Sequence, residues 1–475
     1  MADEGAAKPA SRRAALVRVA VFIVFVALWF APIPGGLTPA AWHLFATFAG
    51  AILSVVAGAL PILTAAVLAL AIAVLTGTLS PEAAYAGFGN PTILLIVMAF
   101  LVARAVVKCG LGQRLGYRAI SIFGRSTLGL SYSIFAVDAL IAPAFPSSTA
   151  RSGVLYPLVF SVAEAAGVKP EREDRRRLGR FLMFSGIASL SLSSALWLTA
   201  HAANPLGAEI AKQNGVDIGF GSWLLAASVP TLLAMLLMPL VLYKVIRPEV
   251  TATPEAPAEA RRALAALGPI TRDQKIVALT FVGMVALWGA SGTLGIDPTA
   301  IAFLGLGVLL ATSVLTLADI AKEGDVLATF IWFAALFTLS DQLNRLGFME
   351  FIGQRLVLRL GGLSPLPAGI LLVVIYVLLH YLFVSQTAHL LALFGVFLGV
   401  GIKLGVPGAP LAVLLLFATD FFASITPQGS SANLLFASSG SLSQGDLYRL
   451  GAVATGFALL VYLIVGTPWI LWVSG

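Results

Sequence analysis

Phe145-Pro-Ser-Ser-Thr-Ala-Arg-Ser-Gly153 and its later echo, Val384-Ser-Gln-Thr-Ala-His-Leu390, are knots of hydroxyl and amide side chains between long apolar runs. Hydrocarbon does not tolerate such polar, irregular backbone unless it is buried in protein or lines a wet cavity. The knots align Ser147 with Ser385, Thr149 with Thr387, and Arg151 with His389. Each reads as the tip of a hairpin that turns inside a membrane, and the two tips together read as one binding site.

The surrounding composition supports this. Of 475 residues, 59% are hydrophobic and 11% charged, against roughly 25% charged in soluble domains. Val19–Pro81 carries no Asp, Glu, Lys or Arg. A spanning helix needs about 20 mostly apolar residues, so the chain reads as an all-α polytopic membrane protein. Its basic residues lie between hydrophobic segments, where they set orientation; a nucleic-acid partner is not expected. The single Cys109 excludes an internal disulfide, and four scattered histidines show no metal-ligand spacing. The first hydrophobic run follows Lys8, Arg12, Arg13 and Arg18 and leads straight into further spans, as an uncleaved first helix would.

Taken in order, residues 1–15 read as a disordered cytoplasmic terminus, 16–246 as a first repeat, 247–272 as a cytoplasmic linker, and 273–475 as a second repeat. About 11 transmembrane helices and two re-entrant hairpins are expected. Each repeat has a hairpin followed by a broken span, at Ala200-His-Ala-Ala-Asn-Pro205 and at Thr426-Pro-Gln-Gly-Ser-Ser-Ala-Asn433. Gly110 and Gly347 open loosely similar segments. With the amino terminus inside, the basic segments 1–18, 104–125 and 169–180 and the linker all fall on the cytoplasmic side. The loop with Asp319, Lys322, Glu323 and Asp325 belongs there too, although it sums negative; acidic residues count little in this rule. An odd number of spans between equivalent elements makes the repeats inverted.

Inverted repeats with broken helices and polar midplane clusters are the usual build of a secondary transporter. Serine and threonine hydroxyls suit a desolvated organic anion, and half-helix amino termini add N–H groups and partial positive charge. The expected substrate site takes Ser147, Ser148, Thr149, Ser385, Gln386 and Thr387 from the tips. From the breaks it takes Thr199, Asn204, Pro205, Thr426 and Pro427. Unwound carbonyls could instead hold a cation such as sodium; Ser147, Asn204, Ser385, Ser430 and Asn433 are then the candidate side-chain ligands. Single Ser and Thr residues also serve as helix glue. His43 and His380 read as packing residues, and His201, inside a break, suits either role. Asp138 and Asp420 are buried carboxylates, functional or capping.

At the two tips the sequence resembles the divalent anion:sodium symporter family, whose members carry Ser-Asn-Thr at each hairpin. Here the motifs read Ser147-Ser148-Thr149 and Ser385-Gln386-Thr387, so the central Asn is replaced in both. The extensions Thr149-Ala-Arg-Ser-Gly and Thr387-Ala-His resemble the branch of plastid dicarboxylate translocators and bacterial citrate or tartrate/succinate exchangers. The resemblance runs from about residue 16 to 473. It implies a homodimer in the cell's inner (plasma) membrane. It also implies scaffold helices at 16–125 and 273–363, and mobile transport parts at 126–246 and 364–475 that slide as an elevator. The implied substrates are C4–C6 di- or tricarboxylates such as succinate, malate, 2-oxoglutarate or citrate.

Coupling is read from Arg151 and His389, with His201 as a third charge-balancing candidate. Arginine is always charged, and a fixed cation near a sodium site opposes ion binding at low dielectric. It would instead balance a carboxylate permanently, favouring anion exchange without sodium. Alternatively Arg151 points to the lipid headgroups, and sodium symport stands as the second reading. No cofactor is expected; sodium enters only under the symport reading. An inorganic-ion carrier of similar architecture remains a further alternative. An intramembrane hydrolase fits poorly, because the motifs around its residues would be wrong. The aspartates sit in Ala-Val-Asp138 and Ala-Thr-Asp420, and the Ser-Gly reads Ala150-Arg-Ser-Gly153.

Overall fold

Apolar runs punctuated by Pro, Gly and small hydroxyl residues become helices in the computed structural model, which describes residues 12–165, 167–168, 176–360 and 362–474. The expectations for residues 1–11 and for most of the charged segment 169–177 lie outside the described residues. Helix starts carry their own signals: Thr38 accepts from the Ala41 N–H with Pro39 following, and Thr271 and Ser443 form reciprocal capping boxes. Among the described residues the one β feature is an isolated bridge, Ser126 to Ala252.

Among the described residues, six long helices are apolar enough to cross a bilayer: Pro39–Val56, Pro91–Cys109, Phe220–Ile246, Arg272–Leu294, Gly324–Arg345 and Gln444–Ser474. Ala15–Trp29, Ile62–Leu75, Pro298–Ala311 and Gly408–Ser424 are shorter apolar helices. With the serine-rich Arg176–Leu196, these make about eleven crossings, the number the apolar segments require.

Thr127–Ala144, Pro365–Leu382 and Gln386–Lys403 are equally apolar but turn back. The first arm of the first hairpin, Thr127–Ile141, has 15 residues. At 1.5 Å per residue it reaches about 22 Å, short of a core about 30 Å thick. Its base is tied to the linker, with Thr127 N–H and Oγ1 donating to the carbonyls of Thr251 and Val250. The returning arm, Ser148–Ala165, ends near Val168, which abuts Gly179 at the start of Arg176–Leu196. That helix start is itself held by Glu249 of the linker. Both feet therefore stand on one side, and the hairpin is re-entrant. In the second hairpin, Val406 abuts Gly369 and Pro365 abuts Gly405, which brings its feet together too.

The internal repeat extends to individual hydrogen bonds. Thr76 Oγ1 donates to Ile72 O, and Thr312 Oγ1 to Val308 O. Gly77 and Ser313 come next, both at positive φ, and then the capped short helices Pro81–Tyr85 and Leu317–Ala321. Gly110 and Gly347 both take the left-handed conformation that ends one helix and starts the next.

The chain divides into two compact units. One comprises residues up to Asn90 plus Leu327–Arg355. In it Trp29 stacks on His43 at 4.4 Å, and Phe45 on Phe348 at 4.3 Å, so His43 is a packing residue. The Gly87 N–H donates to Thr338 Oγ1, and a Cβ at Gly87 would strike the Ala334 carbonyl. The other unit, Pro91–Val326 with Leu356–Gly475, contains both hairpins, both broken helices and the linker.

The linker is more ordered than its composition suggests. Ala256–Ala266 is a helix packed along Leu111–Phe123, and Arg114 donates to the carbonyls of Leu267 and Pro269. Glu249 accepts from the Arg177 and Leu178 N–H groups and from the Arg177 guanidinium. Partial burial pushes its carboxyl upward, but these donors outweigh that and hold it below the ordinary range. The acidic loop is equally explained: Lys108 meets Asp319 and Arg104 meets Glu323, each at 2.7 Å. The Lys108 hydrogen bond, with help from Thr316, holds the Asp319 carboxyl well below its usual range. The negative loop thus shares the side of the basic segment that neutralises it.

Candidate functional site

The two tips are built alike. A short 3₁₀ turn ends each first arm, at Ala142–Ala144 and His380–Leu382, and Phe145 and Phe383 donate back to Ala142 O and His380 O. Each chain then turns extended at a serine that caps the returning helix. Ser147 Oγ accepts from the Ala150 N–H, and Ser385 Oγ from the Ala388 N–H. Pro143 and Pro146 break the first arm where their missing N–H groups cost nothing. Two helix amino termini are thereby presented at membrane depth, each with partial positive charge.

The breaks are also a pair. Arg176–Leu196 stops at Trp197, passes a 3₁₀ turn and resumes at Ala203; Gly408–Phe421 stops before Ser424 and resumes at Ser431. One asparagine staples each gap. Asn204 Nδ2 donates to the carbonyls of Ser194 and Trp197, and Asn433 Nδ2 to those of Ala423 and Thr426. Their amides thus satisfy the carbonyls that unwinding frees. The expected positions need adjustment here. Asn204 and Pro205 lie inside the first turn of the resumed helix, where proline is tolerated because its N–H would have no helical partner. Ser431–Asn433 is likewise helical, so the unwound part is Thr426–Ser430.

The tips dock on the breaks. The Ala202 N–H donates to Pro146 O and Thr199 Oγ1 to Pro143 O. Gln386 Nε2 donates to Thr419 O at 2.7 Å, while Ser148 and Ser194 share a hydroxyl contact at 3.3 Å. The central positions of both motifs therefore hold tip to break. The repeats also cross-link, through Thr149 Oγ1 and Ser431 Oγ at 2.6 Å. Thr149 and Ser431 are exposed, and Ser147, Ser385, Pro427 and Gln428 are partly so. This hydroxyl- and amide-rich patch is the accessible face of the site. Ser148, Thr387, Thr199, Thr426 and Ser430 lie buried behind it. Ser431 lies within the quoted break but carries no distinguishing signal there, and its position opposite Thr149 is a tertiary fact.

Arg151 departs most from expectation. It is fully buried, with Nε 2.9 Å from Asp138 Oδ1, an ion contact rather than an aligned hydrogen bond. Its other nitrogens donate to Ala200 O, Leu190 O and Ser194 Oγ. Ser193 Oγ donates to the second Asp138 oxygen at 2.6 Å. The guanidinium therefore points neither to headgroups nor as a free charge toward a substrate; that expectation is corrected, because a buried charge at this depth needs its own partner. His389 lies behind the second tip, caged by Tyr376, Phe383 and Phe422 at 4.4–4.7 Å. It contacts His380 Nδ1 at 3.3 Å, so it too is turned from the accessible patch. His380 also reaches Gly429 O. His201 Nδ1 meets Asp420 Oδ1 at 2.8 Å.

The fit of sodium can be tested on these donors. At the first break, the Ala200 carbonyl that could ligate a cation already receives a guanidinium N–H group. At the second, the Asn433 amide takes the Ala423 and Thr426 carbonyls. Asn204 Oδ1 and Thr426 Oγ1 are buried without hydrogen-bond partners, but they belong to different breaks. A sodium site of the expected ligands fits this arrangement poorly. Among the described residues no cluster of His, Cys, Asp and Glu could hold a metal ion.

Apolar crossings, paired hairpins and stapled breaks define a polytopic carrier-type membrane protein. The chain belongs to the divalent anion:sodium symporter family: the family model described as the sodium:sulfate symporter transmembrane region matches residues 12–474. It is 40% identical over 456 residues to YflS of Bacillus subtilis, named as a candidate malate transporter, covering 96% of this chain and 95% of that one. It is 37% identical to the chloroplastic dicarboxylate transporter 1 of Spinacia oleracea, covering 95% and 80%. The citrate/succinate antiporter of Escherichia coli is 29% identical, covering 95% and 96%. Among solved structures, the YdaH transporter of Alcanivorax borkumensis matches with a TM-score of 0.55 at 16% identity, covering 97% of this chain and 98% of that one; this likeness concerns the fold alone.

Proposed function

We propose that the protein is a secondary transporter that exchanges di- and tricarboxylates, rather than an enzyme. The observation that carries this reading is the hydroxyl patch where Thr149 meets Ser431 beside two helix amino termini. Such a patch donates to a carboxylate without committing a second fixed charge. Relatives named for malate, dicarboxylate and citrate/succinate transport support the substrate class. Exchange rather than sodium symport is favoured by Arg151. Its guanidinium, anchored by Asp138, occupies the Ala200 carbonyl, which a coupling ion at the first break could otherwise use.

In this reading the protein is a homodimer in the plasma membrane with its amino terminus cytoplasmic, and the hairpins with their broken helices move together as an elevator. The substrate class is tested by uptake of labelled succinate into proteoliposomes preloaded with succinate. Unlabelled malate, 2-oxoglutarate and citrate should compete and sulfate should not. Competition by sulfate alone would reassign the carrier to inorganic anions.

A further inference from the structure

Asp420 is wholly buried; its Oδ1 meets His201, while its Oδ2 makes no aligned hydrogen bond although the neutral Asn204 side chain lies beside the carboxyl. Arg151 is within electrostatic range of it but is already paired with Asp138. Tyr376 on the second hairpin and Tyr462 on the last helix face Asp420, and His380 faces His201; none of these supplies a fixed positive charge. His389 lies beyond His380. A bare carboxylate in such surroundings is strongly unfavourable, so the His201–Asp420 pair holds at least one proton. Oδ2, with no aligned hydrogen bond, leaves room for a second. His201 bridges two environments: its side chain is 9% exposed and that of Asp420 is 0% exposed. It sits one residue before Ala202, whose N–H holds the first hairpin tip through Pro146 O.

We propose that the His201–Asp420 pair adjusts the charge of the loaded site by one proton, so that a trianion and a dianion can be exchanged without net charge movement. This rests on the carboxylate-exchange reading above. With a dianion such as succinate bound, the pair carries one proton as an imidazolium–carboxylate. With a trianion such as citrate bound, a second proton from water on the open side passes by way of His201 to Asp420. The carboxylate becomes a carboxylic acid while His201 stays protonated. On release at the other face that proton returns to water. One citrate trianion and one proton inward then balance one succinate dianion outward. The stapled site around Arg151 and Asp138 needs no change of charge.

The test uses the full chain in proteoliposomes loaded with succinate and an internal pH dye, near neutral pH. Labelled succinate outside first measures homo-exchange. Its absence would sink the carboxylate reading itself, an outcome distinct from failure of the proton coupling. External citrate should then acidify the lumen by about one proton per citrate, with a rate insensitive to a potassium-diffusion potential. In His201→Gln and in Asp420→Asn, protons moved per citrate should fall roughly tenfold, and residual citrate exchange should become potential-sensitive. Because citrate can carry its own proton, an unchanged ratio in both variants overturns the proposal. So does native exchange that moves no proton. Should either variant fail to transport, binding to the purified protein replaces flux. Citrate should take up about one proton more than succinate in the native protein and not in the variants. Loss of all substrate binding in both variants would make the pair a structural strut and equally overturn the proposal.

Discussion

Thr149 presents its hydroxyl at the exposed seam between the repeats, bonded to Ser431. Thr149→Val keeps the shape and removes the donor, which should cost about 1–3 kcal/mol of substrate binding, a loss of apparent affinity of about five- to 150-fold. Unaltered uptake kinetics would take Thr149 out of the site. Arg151→Gln strands Asp138 in the interior and should destabilise the protein by about 3–5 kcal/mol, whereas adding Asp138→Asn should restore much of that. Thermal unfolding of the two variants distinguishes a pair from a lone charge: equal losses would mean the ion pair is not the anchor. Sequence made Arg151 conspicuous but not its direction. A buried arginine requires a carboxylate, and Asp138 on the opposite arm of the same hairpin was available. Only the folded hairpin shows that the two arms bring them to 2.9 Å.

At the scale of elements, Asn204 and Asn433 perform the same task in each repeat. Alanine at either position leaves two break carbonyls without donors, which should cost about 1–3 kcal/mol and impair transport together with stability. A variant that unfolds normally and transports normally would show that the gap holds itself open. The linker makes a second prediction. Glu249 has its carboxyl held below the ordinary value of 4.5 by the amino terminus of Arg176–Leu196. Its stabilising contribution is therefore complete above that value and is lost as pH falls through the lower folded one. Protection of the Arg177 and Leu178 amides, measured against their intrinsic exchange rates, should fall on acidification, and Glu249→Gln should largely remove that response. Protection independent of pH in the native chain would refute the cap. The breaks were legible because Asn-Pro and Thr-Pro interrupt apolar runs. Their edges were not, since a proline in the first turn of a helix looks, in sequence, like a proline that ends one. The linker helix was hidden for a related reason. Ala256–Ala266 is polar enough to read as a tether, and its order comes from contacts with Leu111–Phe123.

Over the whole molecule, apolar length and the repeated hairpin motifs were enough to place nearly every crossing, because hydrocarbon leaves a chain few options. The repeat was legible too, from Gly110 and Gly347 to the paired serines at the tips. The distribution of charge inside the site was not, since the repeats have diverged there. Asp138 and Arg151 in the first correspond to Tyr376 and His389 in the second, and the His201–Asp420 pair joins one repeat to the other. A carrier whose first break is held by a paired guanidinium should exchange anions without sodium, whereas one that recruits sodium should respond to a sodium gradient. The most direct measurement is efflux of labelled succinate from preloaded proteoliposomes into sodium-free buffer. Rapid efflux only when external dicarboxylate is present is the predicted result. Uptake that requires a sodium gradient and proceeds without internal substrate would contradict it.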